Sequence, residues 1–332
     1  MRSKASFIRF AAFALTLLVG IFIGYALRGK EKTQSQYFAI RQGGFRYTNP
    51  LLDCESARDS TDNRELSPFK KEIENFIAAE MKKKWMDDSS VYFRELNSEM
   101  WFSIGPVENF FPASLLKVPI MIAILKEVET NPGLLMERIR YKGEPDYYPA
   151  QNIKPAVMMK KGDYYTIDEL LYRMIVYSDN NASSLLEDVV NPSVLKRVYN
   201  DLSMKSPYAD NAEYSLSAER YASFFRVLFN ATYLGKEMSE KALEYLAKSD
   251  FKDGLVKGVP PGVVVAHKFG ERAFGEGNSR KQLHDCGIVY YPEHPYLLCV
   301  MTEGSSFEYL DDAIADISRA VYEEVDAQHK RH

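Results

Sequence analysis

The chain has 332 residues, is 46% apolar and 27% charged, and carries a formal net charge of −4. That is ordinary globular composition for one large domain or two medium ones, and the negative balance argues against a nucleic-acid partner. Its three cysteines, Cys54, Cys286 and Cys299, include no C-x-x-C pair, which argues against a structural zinc site, and an odd number excludes a fully paired disulfide framework.

Residues Phe10 to Leu27 form an uncharged run of Phe, Leu, Ile, Val and Ala between Arg2, Lys4 and Arg9 on one side and Arg28, Lys30 and Lys32 on the other. The run is long enough for a bilayer core. Its tail, Gly24-Tyr25-Ala26-Leu27, matches a signal-peptidase site poorly, so an uncleaved single-pass anchor over residues 1–33 is preferred to a cleaved signal. The polar mixture that follows predicts a tether over 34–66, and the folded domain is expected to occupy 67–332. Ser67 with Pro68 reads as a helix start, and Phe69, Ile73, Phe76, Ile77 and Met81 give that helix one apolar face. Val91 to Leu96 and Met100 to Ile104 read as two strands joined by a turn at Asn97-Ser98. Phe111 to Leu125 is apolar enough for a buried helix. Thr166 and Glu169 form a capping box ahead of Leu170, Leu171, Met174 and Ile175, and Ser217 caps a helix carrying Tyr221, Phe224, Phe225 and Leu228. Strand character returns at Gly262 to Phe269, Cys286 to Tyr291 and Tyr296 to Met301. A last helix places Leu310, Ile314, Ile317 and Val321 on one face.

This order predicts a mixed α/β (α+β) domain. One antiparallel sheet is built from both ends of the chain and flanked by the terminal helices, and an all-helical lobe is inserted. Cys286 and Cys299 fall on neighbouring strand-like runs; they read as buried thiols or as a bridge, and two small apolar core residues is the preferred reading.

Three motifs carry chemistry. Ser114-Leu115-Leu116-Lys117 puts a hydroxyl and an amine on one helix face. A serine hydroxyl needs a base, and a lysine serves only when burial or nearby positive charge lowers its pKa; Phe110, Phe111, Pro112, Val118, Pro119 and Ile120 supply apolar surroundings. Two further copies of the spacing, Ser67–Lys70 and Ser249–Lys252, sit among charged residues and read as chance. Ser178-Asp179-Asn180 ends a helix, so Ser178 and Asn180 can face one cleft. Lys268-Phe269-Gly270 ends a strand, where a lysine can attract a carboxylate and a glycine permits close backbone approach.

In this order and these local settings, the three motifs resemble the S-x-x-K, S-D-N and K-T-G set of class A β-lactamases and penicillin-binding proteins. The resemblance runs from about Ser67 to the C-terminus. It implies a β-lactamase/transpeptidase-like fold and a serine hydrolase that forms an acyl-enzyme on Ser114 with β-lactams or D-alanyl cell-wall peptides. Lys117 is then the general base and Ser178 the proton relay to the leaving nitrogen. Asn180 contacts the substrate amide, and Lys268 helps to hold the substrate carboxylate. The backbone N–H groups of Ser114 and of Glu271, just past Gly270, form the oxyanion hole. No metal or organic cofactor is implied. The domain is expected to be a monomer on the outer face of the cell membrane.

Two departures stand out. Phe269 replaces the usual hydroxyl residue, with Arg272 or Arg280 as candidate replacements for its carboxylate contact. No E-x-x-L-N follows Ser178-Asp179-Asn180; Glu213, in the short stretch from Leu202 to Tyr214, is the nearest acid and reads as a helix-start residue. Deacylation is therefore expected to be slow. The alternative is a catalytically weak or inactive penicillin- or peptidoglycan-binding or sensing protein.

Overall fold

The computed structural model describes residues 38–55, 67–82, 86–98, 100–105, 110–208 and 214–330. The expected anchor and Glu213 lie outside them. Among the described residues no helix is long and apolar enough to cross a membrane.

A five-stranded antiparallel sheet forms the centre. Its strands are β3 (Asp88–Glu95), β4 (Trp101–Ile104), β7 (Val265–Phe274), β8 (Arg280–Val289) and β9 (Tyr296–Gly304), in the order β4-β3-β9-β8-β7. The alternation of side chains along a strand decides which layer each residue joins. Leu297, Cys299 and Met301 of β9 face one apolar cluster, while Leu298 and Val300 face another. The second cluster is closed by α1 (Ser67–Lys82), through Phe69, Ile73 and Ile77, and by the C-terminal helix α8 (Phe307–His329), through Leu310, Ile314, Ile317 and Val321. These are the terminal helices that the periodicity predicts.

The first cluster joins the sheet to the helical lobe: α2 (Lys117–Val128), α3 (Ile167–Val176), α4 (Asn180–Glu187), α5 (Pro192–Asp201), α6 (Ala218–Phe229) and α7 (Lys236–Ala247). Helix α2 is buried from Lys117 through Leu125, as its nearly continuous apolar sequence requires. Thr166 and Glu169 make the reciprocal capping box on α3, and Ser217 caps α6 by accepting from the N–H of Arg220. A short hairpin of β5 (Arg138–Arg140) and β6 (Tyr164–Thr166) flanks the lobe.

Two expectations need correction. Part of the predicted tether is folded. Strands β1 (Phe38–Arg41) and β2 (Leu51–Glu55) pair, and the loop between them docks on the lobe. The Glu240 carboxylate accepts from the backbone N–H groups of Arg46, Tyr47 and Thr48, and the N–H of Asn49 donates to the Phe229 carbonyl. The contacts are mostly backbone amides onto a distant carboxylate, so the segment's own polar composition does not reveal them. Cys286 and Cys299 are also not free thiols. They are directly opposed in the β8–β9 register and form a disulfide.

Candidate active site

The nucleophile candidate sits on a tight turn that the sheet holds in place. Ser114 lies in a 3-10 turn, Ala113–Leu116, and Lys117 is the first residue of α2. Ala113 has φ 50°, left-handed backbone at a non-glycine residue, which costs about 1–3 kcal/mol and persists only where the surroundings enforce it. They do so here. The N–H of Phe111 donates to Gln282 Oε1 at 3.1 Å, and Tyr221 Oη donates to the Leu115 carbonyl at 2.9 Å. His284 Nε2 lies 3.1 Å from the Phe111 carbonyl, and His284 Nδ1 accepts from the N–H of Thr302. That pair of bonds assigns the neutral Nε2–H tautomer.

Gly270 has a more local reason than the one expected. A Cβ there would stand 2.6 Å from the Pro112 carbonyl oxygen and 3.1 Å from Leu115 Cγ. The backbone that approaches this glycine closely is therefore the serine turn itself.

Ser178 is also left-handed, with φ 53°, so the turn into α4 carries a second strained residue. Asp179, between the two chemistry-bearing residues, is structural. As the N-cap of α4 its carboxylate accepts from the N–H groups of Asn181 and Ala182, and it accepts Tyr148 Oη at 3.0 Å. Gln151 clamps the same turn by donating to the Ser178 carbonyl and accepting from the N–H of Asn180.

The two turns bring the predicted side chains together. Lys117 Nζ donates to Asn180 Oδ1 at 2.6 Å and to the Ser178 carbonyl at 2.7 Å, and lies 3.2 Å from Ser178 Oγ. Lys268 Nζ reaches the same Ser178 Oγ at 2.9 Å and also donates to the Phe269 carbonyl at 2.9 Å. One hydroxyl thus bridges two buried amines. Burial lowers Lys117 to about 7, against the opposing pull of Asp179, Glu187 and Glu271. Burial first, and then the charge of Lys117, hold Lys268 well below the ordinary lysine value. Near neutral pH the cluster therefore holds fewer protons than two ordinary lysines would.

Ser114, Lys117, Asn180 and Glu271 line a cleft of about 420 Å³, together with Phe111, Tyr147, Ser183, Glu187, Tyr208 and Arg272. That is the size of a small-molecule site. Neither Lys268 nor Ser178 is on the cleft wall; both are buried, joined by their hydrogen bond beside Lys117 and Asn180, which do line it. Phe269 is not on the wall either, because its ring stacks on Phe251 at 4.3 Å. The substitution removes a hydroxyl without placing a ring in the cleft. Of the two arginines considered, Arg280 pairs with Glu303, whereas Arg272 lines the cleft and lies over the Phe111 ring at 4.4 Å.

Sequence reasoning missed several residues. Gln151, Gln282, His284 and Tyr221 act on the site across long stretches of chain, and no local pattern marks them. Glu187 carries a signal in hindsight, since it lies seven residues beyond Asn180 on the same helix face. Burial raises its carboxyl pKa, while the Ser183 hydroxyl at 3.3 Å and the charge of Lys117 oppose the rise.

The chain matches the model of the beta-lactamase enzyme family over residues 68–325, and it belongs to that family. Solved structures share its fold. A point mutant of PBP-A in acyl-enzyme complex with penicillin G superposes with a TM-score of 0.65 at 21% identity, covering 81% of this chain and 100% of that one. A class A β-lactamase representative from Bacteroides cellulosilyticus gives 0.65 at 19%, covering 78% and 99%. The class A β-lactamase from Mycobacterium abscessus gives 0.61 at 20%, covering 76% and 99%. No curated protein sequence matches the chain.

His284 provides a test of the support beneath the serine turn. Burial depresses it from 6.5 to about 4, so the folded protein keeps it neutral where the unfolded chain binds a proton. Stability is then complete above about pH 6.5 and falls as the pH drops towards 4, by about 3 kcal/mol over that range. Urea unfolding measured at both ends of the range should reveal the loss, and His284→Gln should reduce it. An equal pH dependence in the variant would refute the assignment.

Proposed function

We propose that the domain is an acyl-transfer enzyme whose Ser114 is acylated by β-lactams or by D-alanyl peptides of cell-wall type. The observation that carries this reading is the placement of Ser178 Oγ between the two depressed amines of Lys117 and Lys268, beside the cleft that Ser114 lines. A neutral Lys117 takes the Ser114 hydroxyl proton, and Oγ attacks the carbonyl carbon. As the carbon–nitrogen bond breaks, Ser178 delivers a proton to the departing nitrogen and is resupplied from the amines behind it. The backbone N–H groups of Ser114 and Glu271 receive the developing oxyanion. Asn180 holds the substrate amide, and Arg272 supplies the cation for a substrate carboxylate, a role that the buried, depressed Lys268 is poorly placed to fill. Neither a metal nor an organic cofactor enters these steps. Titration with a fluorescent penicillin tests the reading: one covalent equivalent per chain is expected, and none would overturn it.

The second reading is a binding or sensing protein of low turnover. It is favoured by the resting hydrogen bonds. Lys117 is committed to Ser178 and Asn180, and among the described residues Ser114 Oγ has no side-chain partner. Labelling by penicillin separates the two readings, since only a working nucleophile is labelled, and its absence would leave the binding reading.

The same proposal places the domain outside the cytoplasm, monomeric and anchored through the Phe10-to-Leu27 run. The Cys286–Cys299 disulfide supports that placement, since such bonds persist in oxidising compartments. Protease added to spheroplasts should digest the domain; protection equal to that of a cytosolic marker would refute the topology.

A further inference from the structure

We propose that Glu95, His294 and His329 form a binding site for a divalent transition-metal ion, best matched to Zn²⁺, that clamps the end of the last helix to the sheet. Their ligand atoms all lie within 4.8 Å of one another. Glu95 closes β3, His294 lies in the turn between β8 and β9, and His329 ends α8. Glu95 Oε1 stands 2.8 Å from His294 Nδ1 and 3.7 Å from His329 Nε2. None of the three lines the cleft, so the ion would be structural and not part of the acyl-transfer chemistry.

Three features make this more than a chance meeting of polar groups. The Glu95 side chain is only 7% exposed, and a carboxylate withdrawn from water needs a cation or several donors. Its Oε2 accepts Ser98 Oγ at 2.5 Å, which orients the carboxylate and leaves Oε1 facing the two imidazoles. That is the outer support usual for a metal ligand. The ligand-bearing segments are also tied together independently of any ion. The N–H of Leu96 donates to the Pro295 carbonyl at 2.9 Å, Asn97 Nδ2 to the Glu293 carbonyl at 2.8 Å, and Tyr291 Oη to Asp326 Oδ1 of α8 at 3.1 Å.

The donor set selects the ion. Two imidazole nitrogens and one carboxylate oxygen suit zinc and its neighbours, whereas Mg²⁺ and Ca²⁺ prefer oxygen alone. Three protein ligands leave one tetrahedral position for water. The rings now stack, with centroids 3.5 Å apart and planes 18° apart. Imidazole lone pairs lie in the ring planes, so one ring must tilt to reach a common ion. His329, on the last turn of α8 and also packed against the Tyr291 ring at 6.0 Å, is the ring whose tilt the proposal requires. Without metal, the same three groups form a hydrogen-bonded cluster around Glu95, and this is the rival reading that the test separates.

The experiment uses chelator-treated full-length protein titrated with Zn²⁺ in a calorimeter, and with Co²⁺ monitored by visible absorption. One equivalent of either ion should bind, with Co²⁺ giving the intense bands of a low-coordinate nitrogen–oxygen site. Zn²⁺ at a hundredfold excess over Kd should raise the melting temperature by about 5 °C. His294→Ala and His329→Ala should each weaken binding by at least about tenfold and remove the thermal shift. Absence of one-equivalent binding, or binding that survives in both ligand variants, would overturn the proposal in favour of the hydrogen-bonded cluster.

Discussion

Ser114→Ala should abolish covalent labelling by a fluorescent penicillin, while Ser67→Ala and Ser249→Ala should leave it intact. All three serines open an S-x-x-K, so spacing alone does not choose among them. The surroundings do. Ser114 borders the cleft and Lys117 is buried beside Ser178 and Asn180. Lys252, by contrast, donates to the carbonyl of Ser249 at 2.5 Å, and neither residue lines the cleft. Lys117→Ala should slow labelling by at least about 10²-fold, the usual scale for losing a general base. The wild-type acylation rate should also fall as the pH drops through about 7, because only the unprotonated amine accepts the serine proton. Intact-protein mass spectrometry across the variants checks the first expectation, and stopped-flow labelling across pH checks the second. Undiminished labelling of Ser114→Ala would mean that a different residue is the nucleophile.

What could be read in advance was what local physics encodes. The apolar setting of Ser114 marked a buried turn and helix. The Thr166–Glu169 capping box marked the start of the helix that leads to Ser178. The apolar run from Tyr296 to Met301 marked a strand, which the structure buries on both faces. Each of these signals lies within a dozen residues. What could not be read depends on register or on distant partners. The bond between Cys286 and Cys299 requires knowing that β8 and β9 place them directly opposite each other. The docking of the loop between β1 and β2 rests on Glu240, nearly two hundred residues away. Strand β7 also continues past the expected end at Phe269 to Phe274, and this extension brings Glu271 and Arg272 to the cleft. Phe269 shows both cases in one residue. The loss of the hydroxyl was visible in the sequence, but the direction of the ring was not, because its partner Phe251 comes from a separate loop.

The acyl-enzyme formed with benzylpenicillin should persist for minutes or longer. On the proposed reading, acylation has candidates for its nucleophile, base, relay and oxyanion donors, but hydrolysis of the ester needs a second base that positions water. A base of this kind contributes about 10²- to 10⁴-fold. Besides Glu271, whose Oε1 accepts from the N–H of Ile153, the carboxylate on the described cleft wall is Glu187. It lies seven residues beyond Asn180 on the same face of α4, and its side chain reaches back one turn to the Ser183 hydroxyl at 3.3 Å. Burial raises its pKa, but in the resting cleft its carboxylate is engaged by the Ser183 hydroxyl, so slow deacylation is the expected outcome. Mass spectrometry of intact protein after mixing with benzylpenicillin should show a stoichiometric adduct on the peptide containing Ser114, decaying slowly. Rapid multiple-turnover hydrolysis would overturn this expectation. Loss of that turnover in Glu187→Gln, with labelling retained, would then assign the water-activating role to Glu187.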